Sequence, residues 1–234
     1  MKYTATIFDL FGTLVHEPSR KRSQSVLLEM ATTLSVPVDD FVKMWAETGA
    51  KRNVGIFPNL ESNIKYICQE IGVNVNENQV RQAVFLRTER IRHALQPRIG
   101  AVGVLSQLRS FDFRTGLISN CSPEVPPLWR ETQLAPWMDT TVFSSLEGLR
   151  KPDERIYRLA TERLGVKADN CLYIGDGDSR ELSGAANAGM HPLMVKVLLE
   201  EPSDDPRSET EEWTGPTIES LQGVINLLLS PYSK

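Results

Sequence analysis

The chain has 234 residues, 41% hydrophobic and 24% charged, with a formal net charge of −4. That composition suits one large globular domain or a domain carrying a sizeable insertion, and its acidic balance argues against a nucleic-acid surface. The three cysteines, Cys68, Cys121 and Cys171, form no CxxC pair, which argues against a zinc site or a disulfide framework and fits a reducing, cytoplasmic compartment.

From the N-terminus, Thr4 to Phe8 is an apolar run of strand character that stops on Asp9 and turns at Gly12-Thr13. Asp9 interrupts the run too early for a secretory leader. No apolar stretch approaches the roughly 20 residues that cross a bilayer. A parallel strand ending on an acid delivers that acid to the carboxyl edge of an open α/β sheet, where such folds bind ligands. There it can be a nucleophile, a metal ligand or both. Alone, it can equally be the cap of the next turn.

From Glu17 to Leu95 the pattern turns helical. Ser25 to Leu34 carries apolar residues at helical spacing. Val36-Pro37 breaks it, and Asp39 is placed to cap a second helix, Asp40 to Thr48. Gly49 to Asn59, rich in glycine and basic residues, reads as a loop, and Leu60 to Ile71 and Asn78 to Leu95 read as two further helices.

From Gly100 the alternation of a doubly wound fold begins. It runs through a helix (Ala101 to Arg109), a strand (Arg114 to Asn120), a loop or broken helix at Pro123, Pro126 and Pro127, and a short strand (Thr140 to Ser144). An amphipathic helix, Asp153 to Leu164, is closed by Gly165. A strand (Cys171 to Asp176), a small-residue helix (Glu181 to Ala188) and a strand (His191 to Val197) follow. An acidic surface loop, Glu200 to Glu212, and a helix, Ile218 to Leu229, complete the chain. The expected fold is α/β: a doubly wound parallel sheet of about five strands in residues 1–16 and 96–234, with an inserted all-α cap at residues 17–95. An insertion after the first strand emerges at the carboxyl edge, over Asp9.

Four strand ends carry polar groups: Asp9, Ser119, Asp176 and the turn Arg150-Lys151-Pro152. Two carboxylates on one edge repel unless a cation lies between them. A hard ion such as Mg²⁺ prefers oxygen ligands. Acids, a hard cation, a lysine and a hydroxyl together describe a site for a phosphoryl group.

These stretches resemble the haloacid dehalogenase-like (HAD) hydrolases, in order and over nearly the whole chain. Asp9-Leu10-Phe11-Gly12-Thr13-Leu14 resembles that family's first motif and Ile118-Ser119-Asn120 its second. Lys151-Pro152-Asp153 with Ile156-Tyr157 resembles the third, and Gly175-Asp176-Gly177-Asp178-Ser179-Arg180-Glu181-Leu182 the fourth. The resemblance implies a Rossmann-like core under a helical cap, and Asp9 as a nucleophile that forms an aspartyl-phosphate. It implies that Ser119 and Asn120, with Thr13 in the substrate site, hold phosphoryl oxygens while Lys151 neutralises charge. It implies Mg²⁺ on Asp9, the backbone carbonyl of Phe11 and Asp176, with Glu181 or, in competition, Asp178 reaching the ion through water.

One position departs from the pattern. Phe11 stands where the family's phosphatases carry a second Asp that moves a proton, help typically worth roughly 10²–10⁴-fold. A phosphatase built this way favours good leaving groups or borrows a carrier, for which His16 is nearest. An aromatic there is similar to the family's haloacid dehalogenases, which need neither the acid nor a metal. Gly175-Asp176-Gly177 instead resembles the metal-binding version. A buried carboxylate facing Asp9 is costly without a cation, so hydrolysis of a small phosphorylated metabolite leads. 2-Haloacid dehalogenation comes second, and a weakly active HAD-fold binding protein third. The expected partner is a small molecule, not a nucleic acid or a membrane. The Lys51-Arg52-Asn53 loop, with Arg52 foremost and Arg20, Lys21 and Arg22 behind it, is the expected reader of the substrate. Trp45 and Phe57 are expected in the cap's core, Cys121 buried and inert, and Trp129 to Trp137 as an exposed aromatic stretch suited to a dimer surface.

Overall fold

The structure is a computed structural model and describes residues 3–16, 20–196 and 212–229. The expected acidic loop at 200–211 lies outside the described residues, as do the side chains of Arg20 and Lys21. Strand β1 (Ala5–Phe8) is buried at every position, which is why its sequence is apolar without alternation.

Five helices follow: α1 (Arg20–Leu34), α2 (Val38–Glu47), α3 (Gly49–Asn53), α4 (Leu60–Ile71) and α5 (Glu77–Ala94). Asn59 caps α4 by accepting the Ser62 N–H at 2.8 Å. Asn76 and Gln79 form a reciprocal capping box at the start of α5. Met30, Leu34, Phe41, Ile64 and Ile67 meet in an apolar cluster that belongs to this helical insert alone.

Two expectations are corrected here. Helix α2 starts at Val38 behind Pro37, so Asp39 lies in the first turn rather than at the cap. A proline, with its fixed φ, leads into a helix readily, and Asp39 and Asp40 then suit the positive end of the helix dipole. Residues 49–53 are helix α3, not loop. Thr48 keeps helical dihedrals between α2 and α3, and its hydroxyl donates back to the Met44 carbonyl at 2.8 Å.

The chain leaves and re-enters the core side by side. Val15 pairs antiparallel with Pro97, and the Arg98 N–H donates to the Leu14 carbonyl at 2.9 Å. The core continues with α6 (Ala101–Ser110), β2 (Arg114–Ser119), α7 (Val125–Trp129), β3 (Thr140–Phe143), α8 (Ser144–Glu147) and α9 (Glu154–Leu164). It closes with β4 (Cys171–Gly175), α10 (Glu181–Asn187), β5 (His191–Val195), β6 (Thr217–Ile218) and α11 (Gln222–Leu229).

Among the described residues the strands form one parallel sheet of six, ordered β3-β2-β1-β4-β5-β6. The expected five lacked β6, which is two residues long and too short to carry a periodic pattern. Phe8, Leu117 and Leu172 belong to the apolar cluster that includes α6 and α11. Ile7, Ile118 and Tyr173 belong to the cluster that includes α9 and α10. Strand order reverses at β1, with β2 on one side and β4 on the other, so the crevice at this switch point opens beside Asp9.

The expected exposed aromatic stretch is also corrected. Trp129 is buried and packs edge-to-face on Phe143 at 6.3 Å, and Trp137 is partly buried against the same cluster. Among the described residues no helix is long and apolar enough to cross a membrane.

Candidate active site

Asp9 follows the last residue of β1, Ser119 ends β2, and Asp176 follows β4. Parallel neighbours in register bring all three to the same edge. Lys151 arrives from the loop between α8 and α9. The side chain of Asn120 clamps that loop, accepting the Lys151 N–H at 2.8 Å and donating to the Lys151 carbonyl at 3.2 Å. Both polar ends of Asn120 are thereby committed, and its visible contribution is the position of Lys151.

The Lys151 ammonium spends three N–H bonds on three oxygens: Asp9 Oδ1 at 2.5 Å, Glu181 Oε2 at 2.5 Å and Tyr173 Oη at 3.4 Å. That is the full donor capacity of a lysine. Glu181 also accepts from Tyr173 Oη at 2.8 Å and from the Gly177 N–H at 3.1 Å. Two glycines make room for it. A Cβ on Gly175 would lie 2.0 Å from Glu181 Oε1, and Gly177 turns the chain at φ +89°. Asp176 Oδ1 accepts the Asp178 N–H at 3.1 Å.

Burial pushes Asp9 up to about 6; Lys151 pulls it down and Asp176 pushes it further up. Burial, then the charge of Asp9, pushes Glu181 up to about 8, against the pull of Lys151. For Lys151, burial works downward, but Asp9 and Glu181 outweigh it and hold the ammonium above the ordinary lysine range. Two carboxylates share one ammonium with Asp176 close by, and fully ionised the three leave surplus negative charge in a buried place.

Carboxylate oxygens of Asp9, Asp176 and Glu181 lie within 4.8 Å of one another. Asp9 Oδ2 is buried and has no hydrogen-bond partner among the described residues. Hard oxygens, surplus charge and an orphaned carboxylate oxygen fit a divalent cation such as Mg²⁺.

The other expected residues divide. Thr13 Oγ1 and Ser119 Oγ are buried near the same edge without a hydrogen-bond partner among the described residues. Phe11 and Asp178 line the cavity above Asp9. Burial pushes the Cys121 thiol up to about 12, which keeps it un-ionised and inert. Trp45 and Phe57 are buried as expected. His16 is exposed and is not part of the cavity wall.

Arg52 is a correction. Helix α3 turns it inward, 6% exposed, with its guanidinium 4.0 Å from the Trp45 ring centroid. Its Nη1 donates to Asn63 Oδ1 at 2.8 Å, Thr48 Oγ1 at 3.1 Å and the Trp45 carbonyl at 3.3 Å. It braces the insert instead of lining the cavity.

The cavity has a volume of about 190 Å³. Asp9, Asn120 and Lys151 form its core wall; Asn53, Arg87 and Ile91 form the wall from the insert. Arg87 has no signature in the sequence, since it is one of several charged residues along α5. Its Nε donates to Glu124 Oε1 at 3.0 Å, both side chains well buried. Tyr173 had a detectable signal: period-two alternation along β4 puts it on the face of Cys171 and Gly175.

A lysine-held carboxylate stands at the tip of a central parallel strand, beside two further buried acids. A family model of haloacid dehalogenase-like hydrolases matches residues 3–189, and the chain belongs to that family. It is 34% identical over 107 residues to the Rhythmically expressed gene 2 protein of Drosophila melanogaster, covering 43% of this chain and 41% of that one. It is 25% identical over 141 residues to a glyceraldehyde 3-phosphate phosphatase of Pyrococcus abyssi, covering 59% and 58%. The chain thus spans between two fifths and three fifths of these curated relatives. It is also 25% identical over 200 residues to an (S)-2-haloacid dehalogenase of Pseudomonas fluorescens, covering 78% and 80%. The solved 2-haloacid dehalogenase of Pseudomonas syringae pv. Tomato DC3000 shares the fold, with TM-score 0.67 and 20% identity over 97% and 98% of the two chains.

Proposed function

We propose that the chain is a Mg²⁺-dependent phosphatase of small phosphorylated metabolites, with the helical insert, residues 17–95, acting as its cap. The observation that carries this reading is the clustering of Asp9, Asp176 and Glu181 oxygens within 4.8 Å, with Asp9 Oδ2 without a partner among the described residues. Surplus buried negative charge beside the nucleophile is costly unless a cation offsets it.

Asp9, Asp176 and the Phe11 carbonyl would hold the ion. Glu181, already fastened by Lys151, Tyr173 and Gly177, would meet it through water. When bound, the ion neutralises charge on the attacking carboxylate and on the transferring oxygens. An Asp9 oxygen attacks phosphorus, the bond from phosphorus to the ester oxygen breaks, and an aspartyl-phosphate forms. Water then attacks that phosphorus, releasing inorganic phosphate and restoring Asp9. Lys151 holds Asp9 ionised and in line, while Thr13 and Ser119 offer hydroxyls to the phosphoryl oxygens. Asn120 keeps Lys151 in place. Phe11 cannot supply a proton to the departing alkoxide, so solvent does, and good leaving groups react fastest.

A second reading, dehalogenation of a 2-haloacid, is favoured by Phe11 together with Ile91 and Val125, apolar residues that line the cavity. There Asp9 attacks carbon, halide leaves, and water hydrolyses the ester. The deciding experiment follows p-nitrophenol release from p-nitrophenyl phosphate with and without Mg²⁺, beside chloride release from 2-chloropropionate in EDTA. The phosphatase reading expects the first alone. Chloride release in EDTA without phosphate hydrolysis overturns it.

A further inference from the structure

The insert's wall of the cavity presents an arginine whose bonding is half complete. Arg87 Nε is fixed by Glu124 Oε1 at 3.0 Å. Its guanidinium lies 5.4 Å from the Trp45 ring centroid, with Arg52 over that ring at 4.0 Å. Among the described residues, nothing accepts a hydrogen bond from its two terminal nitrogens. Arg87 nonetheless lines the same cavity as Asp9 and Lys151. A guanidinium anchored through Nε keeps its end-on pair of N–H groups free, and that pair matches the two oxygens of a carboxylate.

The surroundings are cationic. Arg90, one turn further along α5, has a buried Nε without a partner among the described residues. Burial, then the nearby charges of Arg22 and Arg87, holds Arg90 below the usual arginine range. Arg52 feels both Glu124 and Arg87. Glu124 is the acid in contact with Arg87.

We infer that Arg87 is a specificity residue that binds a carboxylate at the far end of the substrate, so that the preferred substrates are short phosphate monoesters of carboxylic acids. This rests on the phosphatase reading for the near end, where phosphate meets Asp9 and Lys151. The cavity of about 190 Å³ suits a small substrate.

The test is calorimetric binding to the full chain carrying Asp9→Asn, with Mg²⁺. The probes are 3-phosphoglycerate and glycerol 3-phosphate, which differ by a carboxylate in place of a hydroxymethyl group. The carboxylate is expected to tighten binding about tenfold or more, and Arg87→Gln to erase that difference. Because Arg87→Gln leaves Glu124 buried without its partner, the double variant Arg87→Gln/Glu124→Gln, which keeps a neutral pair, is measured alongside. Equal Kd values for the two probes before substitution, or a preference that survives both variants, overturns the role of Arg87. Binding of neither probe overturns it as well and also removes the phosphate site itself. Turnover of p-nitrophenyl phosphate, which has no carboxylate, reports on the phosphatase reading separately.

Discussion

The two walls of the cavity are held by different means. On the core wall, Asp9, Lys151 and Glu181 are tied by charge-assisted bonds and braced by Tyr173, Gly177 and the Asn120 clamp. On the insert's wall, Arg87 reaches the core through a single buried ion pair with Glu124, and near it an exposed pair joins Arg92 to Glu131. The strand ends therefore hold these charged groups to a fixed geometry.

The sharpest way to break this contrast is Lys151→Met. It leaves two buried carboxylates without their cation, and removing one partner of a buried pair typically costs roughly 3–5 kcal/mol. Urea unfolding should register a loss of that order, with phosphate turnover abolished. A loss under about 1 kcal/mol would mean that the core wall is not held as described.

Proton linkage comes next. Asp9 goes from 3.8 to about 6 and Glu181 from 4.5 to about 8 on folding. The folded chain then binds more protons than the unfolded chain between about pH 4 and 8, so stability falls as pH rises through that window. The contribution is fully present below the unfolded values and gone above the folded ones. Mg²⁺ should flatten the slope, since a cation favours the ionised acids. Melting temperatures at pH 5 and pH 8, with Mg²⁺ and with EDTA, check both statements; a slope that Mg²⁺ does not alter counts against the metal site.

The smallest effect on turnover belongs to Arg52→Ala. Its bonds to Asn63, Thr48 and Trp45 are internal to the insert, so about 1–3 kcal/mol of stability should be lost. The kcat/KM for p-nitrophenyl phosphate should stay within about threefold, a free-energy change of about 0.65 kcal/mol. A larger fall would return Arg52 to the substrate.

The same contrast explains what the sequence reveals. Strand-end residues are legible because a buried parallel strand is an uninterrupted apolar run, and a polar residue at its end has one edge to occupy. Asp9, Ser119, Asp176 and the Lys151 turn are found that way. The insert's wall obeys no such rule. Arg87 sits among Arg81, Arg90 and Arg92 on a highly charged helix, and periodicity does not say which of them meets a cavity. Arg52 is hard to place from sequence because Gly49 and Gly55 suggest a loop where Thr48 carries the helix onward. Strand β6 was missed for its length, and Trp129 because prolines around it disguise a buried turn of helix.

The central claim, that Asp9 carries a phosphoryl group in the catalytic cycle, is tested most directly by acid-quenching the enzyme during turnover of p-nitrophenyl phosphate with Mg²⁺ and identifying the modified residue by mass spectrometry. A phosphoryl group on Asp9, absent in EDTA, is the predicted result. Unmodified Asp9 during sustained phosphate release, or an Asp9 ester formed instead with 2-chloropropionate in EDTA, would contradict it.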